Sequence, residues 1–99
     1  MSDWKYAQKT ASEKLALLHF FSVNKHQPNG DFVFRITIHE YVTPEIGSLR
    51  FFAEADRQTN QNTIAFTPVG WGSTLLAALS ECISNLERFP YQGPETEKF

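Results

Sequence analysis

Between Asp31 and Val42 the chain alternates strictly. Phe32, Phe34, Ile36 and Ile38 take one parity, and Val33, Arg35, Thr37 and His39 take the other. A two-residue period over eight positions puts the two sets on opposite sides of an extended chain. One side is strongly apolar, so the strand needs neighbours beside it and a covering layer above it. Thr43-Pro44-Glu45 reads as a turn, and a second strand is predicted from Gly47 to Asp56, with Leu49, Phe51, Ala53 and Ala55 on one face. A polar link, Arg57 to Asn62, leads to a third strand from Thr63 to Thr67 or Val69, with Ile64 and Phe66 inward. Such short links imply an antiparallel meander. Matching apolar faces sets Ile38 opposite Phe51 and Ile36 opposite Ala53. The same register sets Arg35 opposite Glu54 and His39 opposite Arg50 on the other face.

Helical spacing flanks this meander. Trp4, Ala7, Ala11, Leu15 and Leu18 recur at three and four residues, so a helix is predicted from Asp3 to Phe21, capped by Ser2 or Asp3. Asn24 to Gly30 (NKHQPNG) reads as a loop, with Asn29-Gly30 supplying the turn. A final helix begins at a Ser73 or Thr74 cap and stops before Pro90. Leu75, Leu79, Cys82, Leu86 and Phe89 form its stripe, broadened by Leu76 and Ile83. The expected fold is therefore α+β in the order αβββα: a three-stranded antiparallel sheet with two helices packed on one face. Its 99 residues make a single domain with an ordered core of about 3–90 and a frayed tail over 91–99.

At the junction into the last helix the chain reads Gly70-Trp71-Gly72-Ser73-Thr74-Leu75-Leu76-Ala77-Ala78-Leu79. With the αβββα order and the length, this resembles the double-stranded-RNA-binding domain: a glycine-rich turn, a Ser or Thr cap and an alanine-containing helix. The resemblance implies that fold and suggests duplex RNA as a ligand. The chain departs from it where RNA is held. That family places lysines at the start of the last helix, and here Leu75, Leu76 and Leu79 stand there. The first hairpin, Thr43 to Gly47, carries the acid Glu45 where a duplex would approach. Without such cations a matching fold retains little affinity for phosphate.

Charge points the same way. Nine basic residues against eleven acidic give a net charge of −2, with no cluster of cations. No apolar run approaches the roughly 20 residues of a membrane span, and MSDWKYAQKTASEKL is unlike a signal peptide. Cys82 is the single cysteine, so no internal disulfide forms, and the expected compartment is the cytoplasm. His19, His26 and His39 show no HxH or HxxxH spacing, so no metal site is expected. Cys82 falls within an apolar stripe and reads as core. Glu54 and Asp56 share a strand face and read as solvated charges rather than an acid–base pair. No catalytic residue and no cofactor is expected, and the chain reads as a non-enzyme.

What remains is the sheet face away from the helices. Val33, Arg35, Thr37, His39 and Tyr41 lie there with Arg50, Phe52 and Glu54. Phe52 and Tyr41 are large for solvent, and aromatics with arginine are favoured in interface cores. The candidate binding residues are Arg35, His39, Tyr41, Arg50, Phe52 and Trp71. The expected function is a small protein-interaction module, self-associating or binding a protein partner through this face, with no membrane role. One alternative is a degenerate relative of the RNA-binding fold that still binds nucleic acid. A second is anion or small-ligand binding at the Gly70–Gly72 turn, where a helix N-terminus favours negative charge.

Overall fold

The computed structural model describes residues 3–44, 47–60 and 63–92. Four strands and one α-helix follow two short 3-10 turns, Asp3–Ala7 and Ala11–Glu13. The strands are β1 (Ala16–Gln27), β2 (Gly30–Tyr41), β3 (Phe51–Ala55) and β4 (Val69–Gly72), and the helix is α1 (Leu75–Arg88). They form one antiparallel sheet in the order β1-β2-β3-β4, with α1 on one face. The α+β class and the antiparallel meander match expectation. The order does not: the described chain runs ββββα.

The largest correction is at the N-terminal side. The segment predicted as a helix from Asp3 to Phe21 is two 3-10 turns followed by the first half of a twelve-residue strand. Residues 17–21, Leu-Leu-His-Phe-Phe, are apolar at both parities, so they satisfy a helical stripe and a strand equally well. Pairing decides between them. β1 matches β2 at every position from Ala16↔Tyr41 to Gln27↔Gly30. Lys14, at φ 52, breaks the chain away from helical geometry just before β1. The predicted loop Asn24–Gly30 shrinks to Pro28-Asn29, because Asn24 to Gln27 continue the strand. Gly30, at φ +136, makes that tight return.

β2 and β3 fall where alternation placed them. Phe34, Ile36 and Ile38 of β2 and Ala53 and Ala55 of β3 are buried on the helix side. The register differs by two residues: Ile38 faces Ala53 and Ile36 faces Ala55. The expected Arg35–Glu54 and His39–Arg50 pairs are therefore replaced by Thr37↔Glu54 and His39↔Phe52. A two-residue slip leaves every side chain on its face, so face matching could not detect it. Packing selects the observed register. Alanines opposite the isoleucines leave room for α1, whose Ala78 and Cys82 join Ile36, Ile38 and Ala53 in one buried cluster.

The predicted strand over Thr63 to Val69 is also corrected. Ile64 is 75% exposed, and from Thr63 to Thr67 the strand pairing among the described residues is the isolated Thr59↔Phe66 bridge. The fourth strand is instead Val69–Gly72, the segment expected to be a turn. α1 agrees with its prediction. Thr74 caps it, its side-chain oxygen accepting the Ala77 N–H at 3.1 Å. Ala78, Cys82 and Leu86 are buried, while Leu76 is 70% exposed.

A second cluster closes the far end of the sheet: Phe34, Ala55, Leu86 and Tyr91, with Phe32 against them. Lys25 is buried beside it and donates to the carbonyl of Leu86, 3.1 Å away, in the last turn of α1. The cation thus satisfies an orphan carbonyl at the negative end of the helix. Among the described residues only one helix covers the sheet, and it is not long and apolar enough to cross a membrane. Of the tail expected to fray over 91–99, Tyr91 is buried in the second cluster, and residues 93–99 lie outside the described residues, as do Glu45, Ile46, Gln61 and Asn62.

Candidate functional site: the open sheet face

Pairing fixes which side chains share the uncovered face. Leu18 of β1, His39 of β2, Phe52 of β3 and Trp71 of β4 are cross-strand partners in one row. Tyr41 lies beside His39 along β2. Partners in an antiparallel ladder point to the same side, so these residues line one continuous strip. Ring geometry bears this out. His39 stacks on Tyr41 with centroids 5.8 Å apart and an interplanar angle of 10°. His39 and Phe52 are 5.9 Å apart, and Phe52 and Trp71 are 4.6 Å apart. All four rings are half-buried by one another and by the strip itself.

Of the six residues singled out by sequence, four therefore meet: His39, Tyr41, Phe52 and Trp71. Arg35 is on the same face but two rows away, opposite Ser22. There it lines an open groove with Phe20, Phe21 and Ser22. Arg50 precedes β3. Its carbonyl accepts the Tyr41 N–H at 3.0 Å, and its half-buried side chain leaves Nε without a hydrogen-bond partner among the described residues. Leu18 and Phe20 extend the apolar strip and were missed, because the helix assigned to their segment gave them a different face. Phe20 is 72% exposed, the most uncovered aromatic after Tyr6 among the described residues.

Trp71 is a strand residue, not a turn residue, and its flanking glycines have a packing role. A Cβ on Gly70 would meet the Ala78 carbonyl and sit 2.6 Å from Cys82 N, and one on Gly72 would sit 2.6 Å from Ala78 N. The helix backbone lies directly on β4, and only glycine fits there. The Trp71 N–H donates to Glu81 Oε1 at 2.9 Å, and the Val69 carbonyl accepts from Asn85 Nδ2 at 2.7 Å. The outer edge of β4 is thus closed by two helix side chains. The anion-binding turn anticipated at Gly70–Gly72 has neither the turn nor a free Trp71 donor.

Each histidine lies on a strand beside a carboxylate. His19 Nε2 is 2.9 Å from Glu40, His26 Nδ1 is 2.9 Å from Asp31, and His39 Nε2 is 3.5 Å from Glu54. Asp56 is engaged elsewhere, its Oδ1 accepting the Arg35 N–H at 3.0 Å. No three His, Cys, Asp or Glu side chains gather in a metal-holding group among the described residues. Cys82 is fully buried and its thiol points at the Pro68 carbonyl, 3.6 Å away. Burial first, then the carboxylates of Glu54 and Glu81, push its pKa up to about 11, so it stays a neutral thiol at physiological pH.

No protein-family model, curated protein or solved structure matches this chain.

Proposed function

We propose that the chain is a non-enzymatic protein-interaction module whose open sheet face docks an apolar patch of a partner protein. The row Leu18–His39–Phe52–Trp71, with Tyr41 stacked beside it, carries this reading. Preassembled aromatic rings lose little side-chain entropy on binding, and tryptophan and tyrosine are favoured among the residues that dominate binding energy. Charge on the face is mixed: Arg35 and Glu54 stand on neighbouring strands. That suits a protein surface better than a phosphate backbone, which needs a run of cations.

The test is site-specific photocrosslinking in cells. A photoreactive aromatic amino acid replaces Tyr41 in one variant and the exposed helix residue Leu76 in another. A discrete protein adduct from position 41, absent from position 76 and abolished by adding Phe52→Arg, is the expected result. Equal adducts from both positions would sink the reading. An RNA adduct from position 41, with salt-sensitive binding of duplex RNA by the purified chain, would replace it with a nucleic-acid role.

A further inference from the structure

The two edges of the sheet are treated differently. β4 is four residues long, and Glu81 and Asn85 of α1 occupy two of its outward groups, the Trp71 N–H and the Val69 C=O. β1 is twelve residues long and, among the described residues, pairs with no strand on its outer side. The Val42 N–H donates to the Leu15 carbonyl, so odd positions of β1 bond inward to β2. The even positions 18, 20, 22, 24 and 26 therefore aim their backbone N–H and C=O groups at the open edge. Soluble proteins blunt such edges with lysine, proline or a bulge. From Leu15 to Asn24 there is no Lys, Arg, Asp, Glu or Pro. α1 meets this strand at Val23 and Lys25, beyond the Leu17–Phe21 stretch. Leu17 and Phe21 are exposed on the helix side, and Leu18 and Phe20 on the other.

We propose that two copies of this chain join edge to edge along β1, antiparallel, about a two-fold axis at His19. The inference stands on the edge and does not depend on what the open face binds. The sequence around His19 is self-complementary in this register. Leu17 meets the partner's Phe21 on the helix side, and Leu18 meets the partner's Phe20 on the open side. Leu18 with Phe20, and Ala16 with Ser22, exchange backbone hydrogen bonds, because all four are even positions that already face outward. His19 meets its symmetry mate at the axis, each imidazole held by its own Glu40 at 2.9 Å. With about 200 Å² for a phenylalanine, the exposed fractions of Phe20 and Phe21 expose roughly 200 Å². Leu17, Leu18 and the edge backbone set an upper limit of about 1,000 Å² for two chains, which reaches the threshold for a specific interface. The product is one continuous eight-stranded sheet, with both helices on one side and both aromatic rows on the other.

Five variants test this by light scattering during size exclusion, each checked for folding by circular dichroism. Ser22→Pro removes an outward N–H without touching a bond to β2 or a ring of the open face. Phe21→Lys puts a charge on the helix side of the edge. Phe52→Arg alters the open face and leaves the edge intact. His19→Cys, mildly oxidised, places two thiols at a pair of positions whose Cα atoms approach to about 4.5 Å in such ladders, within disulfide reach. The expected result is a wild-type dimer, twice the chain's 11.3 kDa. Ser22→Pro and Phe21→Lys weaken it at least about 100-fold. Phe52→Arg remains a dimer, and His19→Cys is trapped as a covalent dimer while Asn24→Cys is not. A monomeric wild type would overturn the proposal. So would a dimer that Ser22→Pro and Phe21→Lys leave intact. A dimer lost only in Phe52→Arg would overturn it while supporting self-association through the open face.

Discussion

Gly70 illustrates how one residue's chemistry can be visible in the sequence while its reason is not. A glycine before a capped helix suggests a turn; contact with α1 shows a strand on which a helix backbone lies too close for any Cβ. Gly70→Ala is expected to cost about 3 kcal/mol or more, the upper range for overpacking, because the obstacle is backbone that cannot swing aside. Urea denaturation would measure it, and a loss under 1 kcal/mol would mean that the helix can shift. Cys82 is a second case. Its place in an apolar stripe announced burial, and the folded thiol should resist iodoacetamide at pH 8 until denaturant is added. Labelling of the native protein at the rate of a free thiol would contradict its placement.

Among the elements, α1 was the most legible, since its stripe, cap and stop are all local signals. Thr74→Ala should cost about 1 kcal/mol, because the Ala77 N–H loses its acceptor. Lys25→Met keeps the buried stem and removes the bond to the Leu86 carbonyl. A loss of about 1–2 kcal/mol in thermal or urea unfolding is expected, with no loss if water replaces the ammonium. β1 was the least legible element. Its apolar residues occupy both parities because neither of its faces is fully covered, so the alternation that made β2 unmistakable never developed. The same incomplete covering makes its edge available to a second copy.

At the scale of the whole molecule, the buried Cys82 couples stability to alkaline pH. Its folded pKa, about 11, lies above the ordinary thiol value near 9. Between those values the unfolded chain releases a proton that the folded chain keeps, so the unfolded state is favoured as pH rises. The thiol's contribution is complete below about pH 9 and lost by about pH 11, with a slope of at most about 1.4 kcal/mol per pH unit. Comparing urea midpoints of wild type and Cys82→Ala across this window isolates the effect, since the alanine variant should lack that share of the decline. Parallel curves would show that the thiol is not responsible.

Sequence alone determined what local periodicity can encode: the strand β2, the inward face of β3, the capped helix α1, and the shared face of His39, Tyr41 and Phe52. Spacing relative to a fixed geometric period requires no knowledge of what packs where. Tertiary structure decided the rest. It chose strand over helix for Leu17 to Phe21, because pairing along β2 outweighs a stripe that both geometries satisfy. It slipped β3 by two residues so that alanines lie under the helix, and it turned the Gly70–Gly72 segment into an edge strand pressed against α1. Trp71 reached the aromatic row, and Leu18 and Phe20 extended it, only through those long-range choices. These contacts join residues distant in the chain, and no local window contains both partners.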